Sequence, residues 1–459
     1  MKGRSNWSYA PYKPFFWEVG DIYICRVVPY PNSIRIEWLP AGKEEYSVYF
    51  RLRGEDEFKL CGTAKGTEYL ITGLTEGSDY EFYVCAGEEK SRIRLARCGA
   101  HVGTAVNYLH PEDNAYDYSG KYLCSPSLID HPDGYLLASM DLYCGNAPQN
   151  LTLIYRSDDG GKSWHYVSEL MPCFWGKMFL HKGSLYMLAC STEYGDLLIG
   201  RSDDGGKTFG APVTLLRGSN GKNGNVGVHK NPQNIFRHNG RIYETLEWGS
   251  WKNTEYYHAA MVMSCKEDDD LLDPESWHFT PPVRHDLTWK GAASDGEKGN
   301  IEGTLCLAPN GELYNLMRYQ TKEKKILAYR VNTADPDMPL EYSHAVDFPC
   351  NLSKFTVKYD KESNCYYSIA SRRIDEPKTG RNLLSLMVSR DMVNWSVAAD
   401  LIDRRNEDPK LIGFQYVDFE FKGDDIIFLC RTAMNGAHNF HDSNYLTFHT
   451  IENFRKYSV

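Results

Sequence analysis

From about Leu123 to the C-terminus the chain repeats one pattern. A short run of alternating apolar and polar residues leads into a turn such as His131-Pro132-Asp133-Gly134 or Pro309-Asn310-Gly311-Glu312. A second run follows, then a variable loop, then two more runs. The period is about 45 to 60 residues, the length of one four-stranded propeller blade. First strands start near Ser125, Lys177, Lys230, Ile301, Lys354 and Tyr416, giving six repeats. A lone blade leaves strand edges open, whereas a closed ring of radial sheets leaves few. The pattern therefore predicts an all-β chain whose larger part is a six-bladed β-propeller. An aromatic content of 13%, with 32 Tyr and 10 Trp, suits many short strands.

Ahead of the repeat, Ile22 to Val106 also alternates, as in Ser33-Ile34-Arg35-Ile36-Glu37-Trp38 and Tyr46-Ser47-Val48-Tyr49-Phe50. Leu74 and Tyr80 flank a glycine turn before the alternating run that ends at Ala86. With Trp38, this stretch resembles the fibronectin type III family, whose tyrosine corner ties a loop to a β-sandwich. The resemblance implies a sandwich over 18–108 and a propeller over 118–459, the first being a spacer or docking module without chemistry.

Two turns inside the repeat match S-x-D-x-G-x-x-(W/F): Ser157 to Trp164 and Ser202 to Phe209. A third, Ser389 to Trp395, is one residue short and lacks the glycine. These turns resemble the Asp-boxes of sialidase-like propellers, which fold a hairpin back on its own backbone and are structural. Three further stretches resemble the sialidase superfamily. Asn300 to Arg318 looks like the strand pair that begins with an activating glutamate, here Glu302, and ends with a substrate-binding arginine, here Arg318. Gly380-Arg381-Asn382-Leu383 looks like the segment carrying another arginine. Gln415-Tyr416-Val417-Asp418-Phe419 looks like the strand of the nucleophilic tyrosine.

Those residue types belong together chemically. A phenol with a pKa of about 10 is a poor nucleophile until a carboxylate accepts its proton. A sugar that carries a carboxylate at its reacting carbon repels an Asp or Glu nucleophile, and arginines hold such a carboxylate bidentately. The resemblance thus assigns Tyr416 as nucleophile and Glu302 as its activator, with Asp141 the leading candidate for the acid/base and Glu247 the second. Residues at the starts of first strands and in the loops after second strands converge on one face of a propeller. Arg318, Arg381, Lys177, His229, Glu247, Arg373 and Arg431 are the candidate substrate contacts there. The first strand reads Cys124-Ser125-Pro126-Ser127-Leu128 where the family has Arg-Ile-Pro. The sialidase arginine triad is therefore expected to be one short, leaving a small, nearly neutral space at Cys124.

The expected activity is exo-acting glycoside hydrolysis of a terminal, acidic sugar on a glycan or oligosaccharide. The alternatives are a polysaccharide lyase acting on uronic acids, with Lys177 neutralising the carboxylate and His229 or Tyr416 removing the proton next to it, and a non-catalytic carbohydrate-binding propeller. No cofactor is expected, and no His or Cys pair has metal-ligand spacing. The net charge of -10 is spread along the chain, which argues against a nucleic-acid partner. Thirteen cysteines in no paired spacing read as reduced thiols. Met1 to Trp7 has no apolar run after its basic residues, and no stretch reaches membrane-span length. The given chain reads as cytoplasmic, with an exported mature form as the alternative, and its oligomeric state is left open.

Overall fold

The computed structural model describes Trp7 and residues 22–219, 224–293, 300–319, 321–376 and 378–459. Among them there is no α-helix; strands carry the fold, with 3-10 turns at Pro274–Ser276 and Phe454–Tyr457. Ile24–Tyr30, Ser33–Trp38 and Glu68–Thr72 form one three-stranded sheet. A five-stranded sheet is centred on Tyr46–Leu52 and Asp79–Ala86. Burial alternates residue by residue along Ser33–Trp38 and Asp79–Ala86, as period-2 side chains with one face on a core require. The Tyr80 hydroxyl accepts the Thr75 N–H at 3.0 Å, tying that turn to the sheet.

Among the described residues, the rest of the chain builds six antiparallel sheets whose strands, but for the outermost of the sixth, pair in chain order. Their innermost segments are Tyr122–Asp130, Phe174–His181, Gly227–His229, Asn300–Leu307, Val357–Asp360 and Gly413–Lys422. The sixth sheet takes its outermost strand from far upstream: Thr104–Tyr108 pairs antiparallel with the strand Tyr445–Ile451. This corrects the expected unit boundary at 108, because Thr104–Tyr108 already belongs to the ring. A strand borrowed from the other end of the chain gives the sixth sheet the edge partner its own segment lacks.

Hydrogen bonds near the ring's inner edge join every neighbouring pair of sheets. Ser127 Oγ accepts from Met178 N (3.0 Å), Lys230 Nζ donates to Trp175 O (3.5 Å), and Gly303 N donates to Glu247 Oε1 (3.3 Å). Thr304 Oγ1 accepts from Val357 N (3.3 Å), and Lys354 Nζ donates to Val417 O (3.3 Å). Asp418 Oδ2 accepts from Leu128 N (2.7 Å), which joins the sixth sheet to the first. Apolar side chains fill the space between sheets; Leu137, Ile154, Met178, Leu185 and Met187 pack in one such cluster. Burial of each contributes about 1.5 to 3 kcal/mol.

The three S-x-D turns close hairpins between third and fourth strands. Ser157 Oγ accepts from Gly161 N (2.8 Å), and Asp159 accepts from Lys162 N and Ser163 N (3.0 and 2.9 Å). Trp164 is fully buried behind the turn. Ser202 and Asp204 repeat the arrangement, and Ser389 and Asp391 keep the serine and aspartate bonds without the glycine. Bonds from backbone and side chain hold Asp159 and Asp391 at about 2 against the opposing effect of burial. These carboxylates are committed to their own turns.

Candidate active site

Four of the innermost strands carry a bulge at the corresponding place, between Cys124 and Ser127, Phe174 and Lys177, Ile301 and Thr304, and Gln415 and Asp418. In each bulge one non-glycine residue is left-handed: Ser125 (φ 51), Trp175 (φ 53), Glu302 (φ 57) and Tyr416 (φ 55). That conformation costs such residues of order 1 kcal/mol or more each. A bulge re-aims the side chain it carries. The next residue but one turns inward instead: Ser127, Lys177, Thr304 and Asp418 make contacts between sheets. Gly303 follows Glu302 because a Cβ there would lie 2.1 Å from Asn315 Oδ1 and 2.6 Å from Thr245 Oγ1.

The bulges bring Tyr416 and Glu302 together from opposite ends of the sequence. The Tyr416 hydroxyl donates to Glu302 Oε1 at 2.6 Å. Arg318 Nη1 donates to the other oxygen, Oε2, and both partners are nearly buried, at 6% and 4% exposure. Burial pushes the Glu302 carboxyl up, but Arg318, the Tyr416 hydroxyl and His229 outweigh it and hold it below the ordinary value. It is a carboxylate at neutral pH. Burial and the Glu302 charge raise the Tyr416 phenol above its usual pKa, while Arg318, Arg381 and Arg431 pull it down.

Those three guanidiniums form a cationic wall around the phenol. Arg381 lies 5.7 Å from the Tyr416 ring centroid and Arg431 lies 5.0 Å from it. Arg381 Nη1 donates to Gln415 Oε1, and the Gln415 amide is held by Phe440 O (2.6 Å). Burial lowers Arg381 to about 10, with Arg318 and Arg431 adding to the effect. Arg431 donates to His441 O, and its Nε has no hydrogen-bond partner although it is buried. Cys124 is buried within electrostatic reach of Arg431, and burial pushes its thiol up to about 12. The expected neutral space at Cys124 is therefore corrected: Arg431, on the second strand of the sixth sheet, brings a third cation to this corner.

Other sequence-predicted residues stand elsewhere. Asp141 is completely buried, takes the Thr152 hydroxyl at 2.5 Å, and is pushed up to about 7 by burial. With no exposure it cannot reach a substrate atom, which counts against it as acid/base. Lys177 is not a substrate contact either. It is 2% exposed and paired with Asp418 at 2.6 Å inside the ring, where Lys230 and Glu244 (3.4 Å) and Lys354 are also buried. Glu247 is fully buried and bonded to His229 Nδ1 and to the Gly303 N–H, so it positions His229 and the Glu302 strand rather than touching a ligand. His229 packs its ring against Trp175 and His258, with centroids 4.5 and 4.6 Å away. Its Nε2 has no hydrogen-bond partner among the described residues. Arg373 lines a cavity beside Arg318.

Sequence reasoning missed Gln415, His258, Trp251 and Tyr257. Gln415 precedes the nucleophile candidate, and that position was its signal. The aromatic loop residues 251 and 257 gave no periodic signal.

No family model matches the chain, and no curated protein matches it. Solved structures do. A Hadza microbial sialidase aligns over 94% of this chain and 96% of its own, at 12% identity and a TM-score of 0.52. An α-L-arabinofuranosidase of Fusarium graminearum, solved with an iminosugar inhibitor, aligns over 76% of this chain and 97% of its own, at 14% identity and a TM-score of 0.51. A protein of unknown function from Dyadobacter fermentans gives 77%, 99%, 12% and 0.51. At such identities the likeness is one of fold alone: the chain shares the all-β propeller fold of these structures.

Proposed function

We propose that this chain is an exo-acting glycoside hydrolase that removes a terminal acidic sugar from a glycan. The observation that carries the reading is the Tyr416 hydroxyl bonded at 2.6 Å to the Glu302 carboxylate, beside three guanidiniums. Glu302 accepts the phenol proton as Tyr416 Oη attacks the anomeric carbon, and Arg318, Arg381 and Arg431 hold the substrate carboxylate and stabilise the developing phenolate. His229, positioned through Nδ1 by Glu247, gives the leaving oxygen its proton from Nε2. Water then displaces Tyr416 from the sugar. In this reading the six sheets are the blades of one propeller, the S-x-D turns are its Asp-boxes, and residues 22–98 are a fibronectin type III-like module. That module packs on outer strands of the ring, where Tyr155 Oη donates to Cys25 O (2.9 Å) and Tyr166 N to Glu37 Oε1 (3.2 Å). It supplies none of the candidate residues.

The test is turnover of a panel of acidic oligosaccharides and aryl glycosides read by mass spectrometry. Tyr416→Phe is expected to abolish it, and Glu302→Gln to lower it by roughly 100-fold or more. No turnover of any acidic sugar by the wild-type chain sinks the reading. The His229–Glu247 pair, within electrostatic reach of Glu302, also suits a second reading, a uronate lyase in which His229 removes the proton next to a carboxylate neutralised by arginine. A lyase product absorbs in the near ultraviolet through its new conjugated double bond, and a hydrolase product does not.

A further inference from the structure

A cavity of about 600 Å³ opens beside Arg318, between loops of the third, fourth and fifth sheets. Its charged lining is of one sign: Arg318, Lys322, Arg373 and Lys378, with no acidic residue. Trp251 and Tyr257 supply an aromatic side, their ring centroids 5.2 Å apart, and Trp251 keeps 40% of its surface exposed. Arg318 belongs to both places, since it bonds Glu302 and also lines the cavity. The cavity thus shares Arg318 with the Tyr416 centre.

Arg373 and Lys378 lie within electrostatic reach of Asp375 but make no ion pair with it. Arg318 is taken up by Glu302, but Arg373 donates only to a backbone oxygen, Thr321 O at 3.4 Å. Neither Arg373 nor Lys378 has a carboxylate partner among the described residues. The nearby acid, Asp375, is bound by Lys324 at 2.9 Å. Unpaired cations facing a cavity are costly to keep together unless an anion joins them, and an exposed tryptophan beside them offers the face of a sugar ring a stacking surface.

We propose that this cavity is a second anion subsite, which takes a carboxylate or sulfate group of the glycan in addition to the one held at Tyr416. It rests on the glycan-binding reading above and narrows the substrate class to sugars presenting two anionic groups. Arg373 and Lys378 hold the second anion and Trp251 stacks on the ring that carries it. The second group has two sources, a substituent on the terminal sugar itself or the acidic group of the neighbouring residue.

The test is calorimetric binding to the Tyr416→Phe protein, which separates it from turnover. Four probes are compared: a uronic acid, the same uronic acid carrying a sulfate, a disaccharide of two uronic acids, and a disaccharide of one uronic acid with a neutral neighbour. One of the two dianionic probes is expected to bind at least about 10-fold more tightly than its monoanionic counterpart, the gain of one charge-assisted contact. Preference for the sulfated monosaccharide puts the second anion on the same sugar, and preference for the diuronate puts it on the neighbour. In Arg373→Gln/Lys378→Gln the preference ratio is expected to fall below about 3-fold. Equal affinities within both pairs, no binding by any of the four, or a ratio unmoved in the double variant overturns the proposal. Failure of the hydrolase reading is registered separately, as absence of turnover in the wild-type chain.

Discussion

Arg431→Gln is the substitution that most sharply separates a carboxylate-binding wall from a set of structural arginines. The guanidinium lies 5.0 Å from the Tyr416 ring centroid and its Nε is buried without a partner. A guanidinium at that distance over the face of a phenol contributes about 0.5 to 2 kcal/mol. Direct loss of one charge-assisted bond to a ligand carboxylate is worth about 1.5 to 3 kcal/mol, or roughly 10- to 150-fold in affinity. The assay is competitive binding of an acidic sugar and of its neutral amide, with thermal unfolding as the control for folding. The acid is expected to weaken by about 10- to 150-fold and the amide by less than about 3-fold. Equal weakening of both, or no weakening of the acid, refutes the assignment of Arg431 to anion recognition.

Lys177→Met is expected to destabilise the protein by about 3 to 5 kcal/mol, because Asp418 is left buried at 0% exposure without its lysine. Urea unfolding measures it, and Lys177→Met/Asp418→Leu is expected to recover most of the loss; a neutral single variant contradicts the structural role. Asp141 gives a pH dependence. Its pKa rises on folding to about 7 through burial, so the folded state holds the proton more tightly and stability is lost as pH climbs from about 4 through 7. Asp141→Asn is expected to flatten that fall, by at most about 4 kcal/mol across the window at about 1.4 kcal/mol per pH unit. Unfolding curves at pH 5 and pH 8 that shift in parallel for both proteins refute it. His229→Gln is expected to lower turnover by roughly 100-fold or more while leaving the affinity of the Tyr416→Phe background for an acidic sugar within about 3-fold; unchanged turnover takes His229 out of proton transfer.

The fold was legible where local pattern decides it. Alternating burial and glycine turns marked the strands, and the innermost strands lie where the repeats start. The closing strand Thr104–Tyr108 was not legible, because its partner is Tyr445–Phe448 at the far end of the chain and nothing local signals the pairing. Tyr416, Glu302, Arg318 and Arg381 could be read from the motif that each stands in. The bulges could not. A single extra residue changes which side of the strand the following side chains take. That is why Lys177 reads as a substrate contact in the sequence, although it turns into the ring while Trp175, two residues before it, packs against His229. Arg431 could be read as a candidate contact, but not as the third cation beside Cys124, because it comes from a second strand and not from the first-strand position that Cys124 occupies.

The central claim is that Tyr416 becomes covalently attached to the sugar, and trapping tests it most directly. A fluorinated glycosyl fluoride of the best acidic substrate slows loss of the sugar from the enzyme, so the adduct accumulates and is located by peptide mass spectrometry. The account predicts one added sugar on the peptide containing Tyr416, and none in Tyr416→Phe. Turnover of the parent substrate with the label on another residue, or with no covalent adduct at any time point, contradicts it.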